Sequence, residues 1–406
     1  MKATGIVAEF NPLHNGHAYI IDEARKRTNA EAVVVAMSGN FVQRGEPALT
    51  NKWSRTKTAL LSGADLVLEI PTYFCLSDAG KYASAGVSIL ESLGCVSEIC
   101  CGCAPGDSSV IKETAELISR NKEEIAELIS EQTKEGLSYP AAREKAVLSL
   151  VKDDDCKEAI GKALNDPNNV LAIEYMLSSE KSEINCITRL GAAYNDPFSS
   201  DVEYQSASGI RSLFLKLGAE AASDKVSSYV PEYCLNELKA SRLMFKDDVS
   251  NYLKLAVLNA DASSIDECPS GGEGLGNLIK DAAVFNGGID DIITYAKSKR
   301  YTYTRLSRLC MQILLGIDRR KHVFEKPEYL RVLGFTEKGR ERLSEVKRNE
   351  LHTLPVITNI NKETAEEGTV LKNMLKLDIK ASDIYNLMCG NDIYENSDYK
   401  TIPVMI

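Results

Sequence analysis

The stretch Gly5-Ile-Val-Ala-Glu-Phe-Asn-Pro-Leu-His-Asn-Gly-His-Ala-Tyr-Ile20 constrains the fold of this chain more than any other. Its apolar, β-branched run Ile6-Val7-Ala8 predicts a buried strand. Asn11-Pro12 predicts a turn. From about Gly16, apolar side chains at Ala18, Ile20, Ile21 and Ala24 predict a helix. His14 and His17, two of only four histidines, fall three residues apart where strand hands over to helix. A helix N-terminus leaves N–H groups unpaired and carries the positive end of the dipole, so it attracts phosphate. Imidazoles three apart there lie near one helical face and can donate to the same polyphosphate. Gly16 between them lets the backbone approach a ligand closely. Two histidines alone would be ordinary loop residues; their strand–turn–helix setting makes them candidate phosphate ligands.

The rhythm continues downstream. Glu31–Met37 reads as a second strand, Ser38–Gly45 as a polar loop, Asn51–Ser62 as helix and Ala64–Ile70 as strand, ended by Pro71. Gly80–Leu93 reads as helix, Val96–Cys101 as a fourth strand leading into Gly102, and Ile184–Leu190 as a fifth. Strands that are apolar throughout and alternate with helices predict an α/β fold with a doubly wound parallel sheet, binding ligands at the strands' carboxyl ends. Residues 107–165 break this pattern with Glu- and Lys-rich helical periodicity and read as a helical insertion. Asp166-Pro-Asn-Asn is a helix cap and start. After about Val230 the alternation ceases, and 232–350 reads mainly as helix around the flexible Pro269–Gly276; a short strand, Leu354–Thr358, and more helix follow. With 406 residues, two domains are expected: 1–228, holding the sheet, and 229–406, mainly helical.

Composition narrows the class. Apolar residues make up 44% and charged residues 26%, as in ordinary globular proteins, and no apolar run reaches the roughly 20 residues that span a bilayer. The N-terminus leads straight into the strand without a signal sequence, so a cytoplasmic protein without a membrane partner is expected. Eleven cysteines without a repeating spacing read as reduced thiols. Cys100 and Cys103 lack a second pair, so no structural metal is expected.

Two further clusters suggest ligands. Ser206 and Ser208 stand at a predicted helix start with Arg211 one turn in, the makings of a second phosphate clamp. The net charge is −10, yet residues 297–348 hold 15 basic and 6 acidic residues. Within this segment Lys297, Lys299, Arg300, Arg305 and Arg308 interleave with Tyr301 and Tyr303. Cations neutralise phosphates while aromatic faces stack unpaired bases, which makes these seven residues candidate RNA contacts.

The strand, Asn-Pro, His-x-Gly-His and helix, joined to the Ser206–Arg211 signature, resemble the nucleotidylyltransferase superfamily, whose H-x-G-H binds ATP phosphates. Longer blocks narrow the resemblance: Met37–Pro47, Gly63–Pro71, Pro167–Leu171, Arg189-Leu-Gly-Ala-Ala-Tyr194 and Arg300–Arg305 resemble the bacterial tRNA(Met) cytidine acetate ligases. This implies a nucleotidylyltransferase-like Rossmann fold and a ligase that acetylates N4 of the wobble cytidine of elongator tRNA(Met) through acetyl-adenylate. ATP and acetate are the implied small substrates, with Mg²⁺ accompanying ATP but no dedicated carboxylate cage. The implied ATP contacts are Val7-Ala8-Glu9-Phe10-Asn11-Pro12-Leu13-His14-Asn15-Gly16-His17-Ala18-Tyr19-Ile20, Gly102, Asn169, Arg189 and Leu190, joined by Ser206 and Ser208. His14, His17 and Arg211 are the implied catalytic groups. Where the family shows an aromatic, Gly, Ser, acidic order, this chain has Cys101-Gly102-Cys103-Ala104, which leaves a backbone contact at Gly102. A small-molecule adenylyltransferase of cofactor biosynthesis and a non-catalytic RNA-binding protein are the alternatives; neither accounts for both the intact motif and the cationic segment. The sequence sets no oligomeric state.

Overall fold

The computed structural model describes residues 2–191, 198–199, 204–272, 274–361 and 364–406. Ala192-Ala-Tyr194 of the block beginning at Arg189, and Glu273 of the glycine-rich stretch, lie outside the described residues. Ten strands are formed: β1 (Ala3–Ala8), β2 (Ala32–Ser38), β3 (Phe41–Val42), β4 (Glu46–Pro47), β5 (Leu66–Ile70), β6 (Val96–Cys103), β7 (Glu183–Thr188), β8 (Leu330–Phe335), β9 (Val356–Ile357) and β10 (Val404–Met405). β3 and β4 pair as a small hairpin inside the predicted polar loop. The others form one sheet in the order β10-β8-β5-β2-β1-β6-β7, with β9 also beside β8. From β5 to β7 every pairing is parallel, as the apolar strands predicted. The fold is thus the expected nucleotidylyltransferase-like α/β architecture.

The helices used below are α1 (Asn15–Thr28), α2 (Lys52–Leu61), α3 (Ala79–Ser92), α4 (Pro167–Ser178), α5 (Ala207–Leu217), α6 (Tyr303–Leu315) and α7 (Val370–Met388). Strand alternation divides the core into two layers. Val34, Ala36, Leu66 and Leu68 pack with α3 and α4 on one face. Val33, Val35, Met37 and Val67 pack with α1, α2 and α5 on the other. The insertion consists of helices Ser108–Arg120, Lys122–Lys134, Tyr139–Ser149 and Asp154–Asn165.

The reading of 232–350 as mainly helical needs correction at one place. Leu330–Phe335 is a strand, antiparallel to β5, and β9 and β10 pair parallel to it. The sheet therefore draws strands from both sides of residue 228. β8 is a single short run carrying a charged residue, Arg331, so it had neither the length nor the uninterrupted apolar character that marked the others.

A buried charged network fastens this C-terminal segment to the sheet. Lys52 Nζ of α2 donates to both carboxylate oxygens of Glu69 on β5 at 2.9 Å and to Asp398 Oδ2 at 2.7 Å, and all three side chains are excluded from solvent. Asp378 of α7 accepts the Thr72 N–H at 2.7 Å and the Tyr329 hydroxyl. Removing one partner of a buried pair leaves an uncompensated charge. Lys52→Met is therefore expected to lose about 3–5 kcal/mol of unfolding free energy, read from urea denaturation, whereas cutting the exposed Lys26–Asp22 pair should change it by less than about 1 kcal/mol.

Candidate nucleotide site at the end of the first strand

β1 ends at Ala8, and the chain turns through Glu9–Leu13 into α1. Three side chains secure the turn from outside. Arg55 Nη1 donates to the Glu9 carbonyl at 2.7 Å. Arg211 Nη1 donates to the Asn11 carbonyl at 2.6 Å, and its Nη2 pairs with Glu46 Oε1 at 2.9 Å. Asn11 Oδ1 accepts the Leu49 N–H at 2.7 Å.

His14 is the N-cap of α1, and its Nδ1 accepts the Gly16 N–H at 3.1 Å. A neutral imidazole that accepts at Nδ1 carries its proton on Nε2, so His14 has that N–H left to donate. The ring folds back over Gly16, where any Cβ would meet His14 Cε1 at 2.9 Å. Gly16 thus makes room for the imidazole. The His17 ring lies 3.9 Å from that of His14, centroid to centroid, tilted by 35°, and its edge meets Phe10 at 5.2 Å. His17 Nδ1 is buried without a hydrogen-bond partner among the described residues. Burial, then neighbouring His17 and Arg189, hold His14 well below the usual histidine range. Burial and Arg189 hold His17 down at about 3. Both rings are neutral at pH 7.

One expectation is overturned. The first-turn N–H groups of α1 are not left for a ligand: Asn15 donates to the Tyr229 carbonyl (2.9 Å), Gly16 to His14 Nδ1, and His17 to the His14 carbonyl (2.8 Å). The cap folds inward because the imidazole competes successfully for the nearest N–H. What remains for an anion is imidazole N–H and the helix dipole.

These groups line a cleft of ≈ 1160 Å³, including its open mouth, at the carboxyl edge of the sheet. Of the residues implied to touch ATP, Val7, Ala8, Glu9, Phe10, His14, Gly16, His17, Tyr19, Ile20, Gly102, Arg189, Leu190 and Ser206 line it. At Gly102 a Cβ would meet Arg189 Cγ at 2.9 Å, so the glycine lets the arginine stem lie flat against β6. Four implied residues sit behind the wall. The buried Asn169 accepts the Ala104 N–H at 3.0 Å and donates to Asp107 Oδ2 at 2.6 Å, holding the turn after β6. Ser208 bonds Ser206, which caps α5 by accepting the Gly209 N–H at 3.0 Å. Asn11 and Arg211 hold the turn, as above. Tyr82, Leu171, Tyr175, Tyr204 and Gln205 also line the cleft and were not singled out in the sequence. They occupy ordinary helix and loop positions, so nothing local marks them.

The cationic segment divides in two. Lys297, Lys299 and Arg300 are exposed, with Tyr301 half-buried beside them. Tyr303, Arg305 and Arg308 are tied into the protein instead. The Tyr303 hydroxyl donates to Asp290 at 2.5 Å and accepts from Lys246 at 2.6 Å. Arg305 donates to the carbonyls of Ser270 and Gly271, both at 3.1 Å, and its guanidinium lies 5.2 Å from the Tyr301 ring centre. Arg308 Nε is buried, and burial pulls the guanidinium down to about 10. Their helix, α6, is joined to the β3–β4 hairpin by Ser307 Oγ donating to the Gly45 carbonyl at 2.8 Å. Among the described residues no group of three His, Cys, Asp or Glu is placed to hold a metal, and no helix is long and apolar enough to cross a membrane.

Comparison with known proteins bears on this geometry. The family model described as HIGH Nucleotidyl Transferase matches residues 1–400. The chain is 38% identical over 414 residues to the tRNA(Met) cytidine acetate ligase of Clostridium perfringens, covering both chains in full. It is 37% identical over 417 residues to that of Clostridium kluyveri, covering 100% of this chain and 99% of the relative. The crystal structure of Thermotoga maritima TmcAL in its apo form matches with a TM-score of 0.89 at 27% identity. The same protein bound with alpha-thio ATP matches at 0.86 and 27%, and each match covers 100% of both chains.

The neutral imidazoles have a measurable consequence. Between pH 6.5 and about 3 the unfolded chain binds protons that the folded His17 refuses, and His14 behaves in the same direction. Their contribution to stability is complete above pH 6.5 and is lost as pH falls, by up to about 1.4 kcal/mol per pH unit for each ring. Urea unfolding between about pH 7 and pH 5 should show this slope, and His14→Asn/His17→Asn should flatten it.

Proposed function

Since this chain belongs to the tRNA(Met) cytidine acetate ligases, within the HIGH nucleotidyl transferases, we propose that it couples ATP to acetylation of N4 of the wobble cytidine in elongator tRNA(Met). The observation that carries this reading is the pair of neutral imidazoles stacked in a cleft at the carboxyl end of β1. The nucleoside would lie beside Gly102, Arg189 and Leu190, with the triphosphate on His14, His17 and Ser206. Arg211, one turn into α5, would close over the β- and γ-phosphates by exchanging Glu46 for them.

An acetate oxygen attacks the α-phosphorus; the bond to the β-phosphate oxygen breaks, giving acetyl-adenylate and pyrophosphate. The chemistry asks for positioning and for donors aimed at the charge that gathers on the leaving pyrophosphate. The His14 Nε2–H already points its dipole from a fixed ring. Mg²⁺ would travel with ATP on the phosphates themselves, since the described residues supply no cage for it. The cytidine amine then attacks the acetyl carbon. A wobble base lies in a single-stranded loop, so it can be swung into a pocket at little cost. Lys297, Lys299 and Arg300 would meet tRNA phosphates and Tyr301 a base, with Tyr303, Arg305 and Arg308 anchoring that surface to the hairpin. The working compartment is that of tRNA, the cytoplasm.

Incubation with ATP, isotope-labelled acetate and elongator tRNA(Met), followed by mass spectrometry of the tRNA, should find labelled N4-acetylcytidine; unmodified tRNA would overturn the reading. AMP should appear only when acetate and tRNA are both present, unlike in a cofactor-building adenylyltransferase. His17→Ala should cut acetate-dependent ATP–pyrophosphate exchange by about 100-fold or more, with tRNA affinity within about threefold. Lys299→Ala/Arg300→Ala should do the reverse, weakening tRNA binding about tenfold.

A further inference from the structure

We propose that Glu9 takes the proton from the cytidine's exocyclic amine as that amine attacks the activated acetyl group, an assignment that rests on the ligase reading above. Among the described residues that line the cleft, Glu9 is the one carboxylate. Its side chain is held where it stands: Oε1 accepts the Gln43 N–H at 2.8 Å, while its own backbone carbonyl is fixed by Arg55. Phe10, at φ 48°, bends the chain directly after it.

The sheet order decides which substrate Glu9 faces. β2 and the hairpin that follows it lie on one side of β1, and β6 and β7 on the other. Gly102, Arg189 and Leu190, where the nucleoside is placed, belong to the β6–β7 side. Glu9 is bonded to Gln43 on the hairpin side, so it borders the half of the cleft that the nucleotide leaves open. The paired imidazoles and the triphosphate lie between. The hairpin in turn touches α6, which follows directly on the exposed Lys297–Arg300 segment. A base entering from the RNA surface therefore reaches Glu9 before the nucleoside end of the cleft.

Other cleft groups are poorly suited to the task. His14 already accepts at Nδ1 and has only a donor left. The Tyr82 hydroxyl lies 3.2 Å from Ser38 Oγ, and burial makes it a weaker acid still. Glu46 is paired with Arg211 and lies outside the lining. Burial, helped by Glu46, pushes the Glu9 carboxyl up from its ordinary value, against the Gln43 N–H, Arg44 and Arg211. A carboxylate raised in this way is a stronger base while still ionised near neutral pH.

The step balances without another reactant. The N4 lone pair forms a C–N bond to the acetyl carbon. The bond from that carbon to the phosphate oxygen breaks, and its electron pair leaves on AMP. One N4 proton passes to Glu9 and from there to solvent.

Single-turnover acetyl transfer to elongator tRNA(Met), timed from about pH 5 to pH 8, tests this in the wild type, Glu9→Gln and Glu9→Asp. Acetate-dependent ATP–pyrophosphate exchange by the same preparations reports adenylate formation separately. The groups that face Glu9 and shape its profile are Glu46, Arg44, Arg211, Arg55, Tyr82 and Tyr175. The wild-type transfer rate should rise with pH as Glu9 ionises. In Glu9→Gln, transfer should fall about 100-fold further than exchange and lose that rise, while Glu9→Asp keeps it. Equal losses in both assays, transfer within about threefold of wild type, or an unchanged pH rise in Glu9→Gln would overturn the assignment. A wild type with no acetate-dependent exchange would bring down the ligase reading, and this assignment with it.

Discussion

The buried guanidinium of Arg55 is the interaction on which the ligand-facing edge of this protein depends. A parallel sheet ends in carbonyls that no neighbouring strand satisfies, and here several of them are shut away from water. Arg55, 1% exposed, donates to the carbonyls of Thr50 (3.1 Å), Glu9 (2.7 Å), Ser38 (2.9 Å) and Gly39. Those groups lie at the ends of β1 and β2 and at both ends of the hairpin region. A planar fork with five donors can satisfy four acceptors at once, where a lysine ammonium offers three donors from one point. Burial lowers the guanidinium's pKa, and it pairs with no carboxylate, so the carbonyl dipoles supply its solvation. Arg211 repeats the device from the other face of the sheet by holding the Asn11 carbonyl.

With the turn held from two sides, the first residues of α1 can adopt a cap that looks inward. His14 spends one nitrogen on the Gly16 N–H, and its ring stacks on His17. Stacking two imidazoles at 3.9 Å in a buried place, next to Arg189, is compatible only with neutral rings, and the depressed values for both express this. The site therefore meets a polyanion with oriented N–H dipoles from fixed positions. Donors that need no reorganisation when charge develops are the most effective kind. On the hairpin side of the same turn stands Glu9, so one short segment of chain carries both the phosphate-facing donors and a carboxylate.

The parts legible in the sequence were those with dense local signals. The apolar strands β1, β2, β5 and β6 announced a parallel sheet, and the His-x-Gly-His after β1 marked the corner where the cleft lies. What escaped depends on distant partners. β8 is short and interrupted by Arg331, and it becomes a strand because β5 offers it an edge. Asn169 sits at a helix start that looks ligand-facing, yet its side chain closes the turn after β6. Tyr303 and Arg305 have the composition of an RNA contact, but Asp290, Lys246 and two backbone carbonyls engage them, leaving Lys297, Lys299 and Arg300 exposed. Spacing along a chain indicates which residue types are available at a place; which way each one turns is set by neighbours far away in sequence.

The central claim is that a triphosphate rests on the paired imidazoles at the β1–α1 corner, with its nucleoside towards β6 and β7. A crystal structure of this protein with a non-hydrolysable ATP analogue tests it most directly. The account requires phosphate oxygens within about 3 Å of His14 Nε2 and a His17 ring nitrogen, with the adenosine against Gly102 and Arg189. A triphosphate seated elsewhere, with both imidazoles still stacked and untouched, would contradict it.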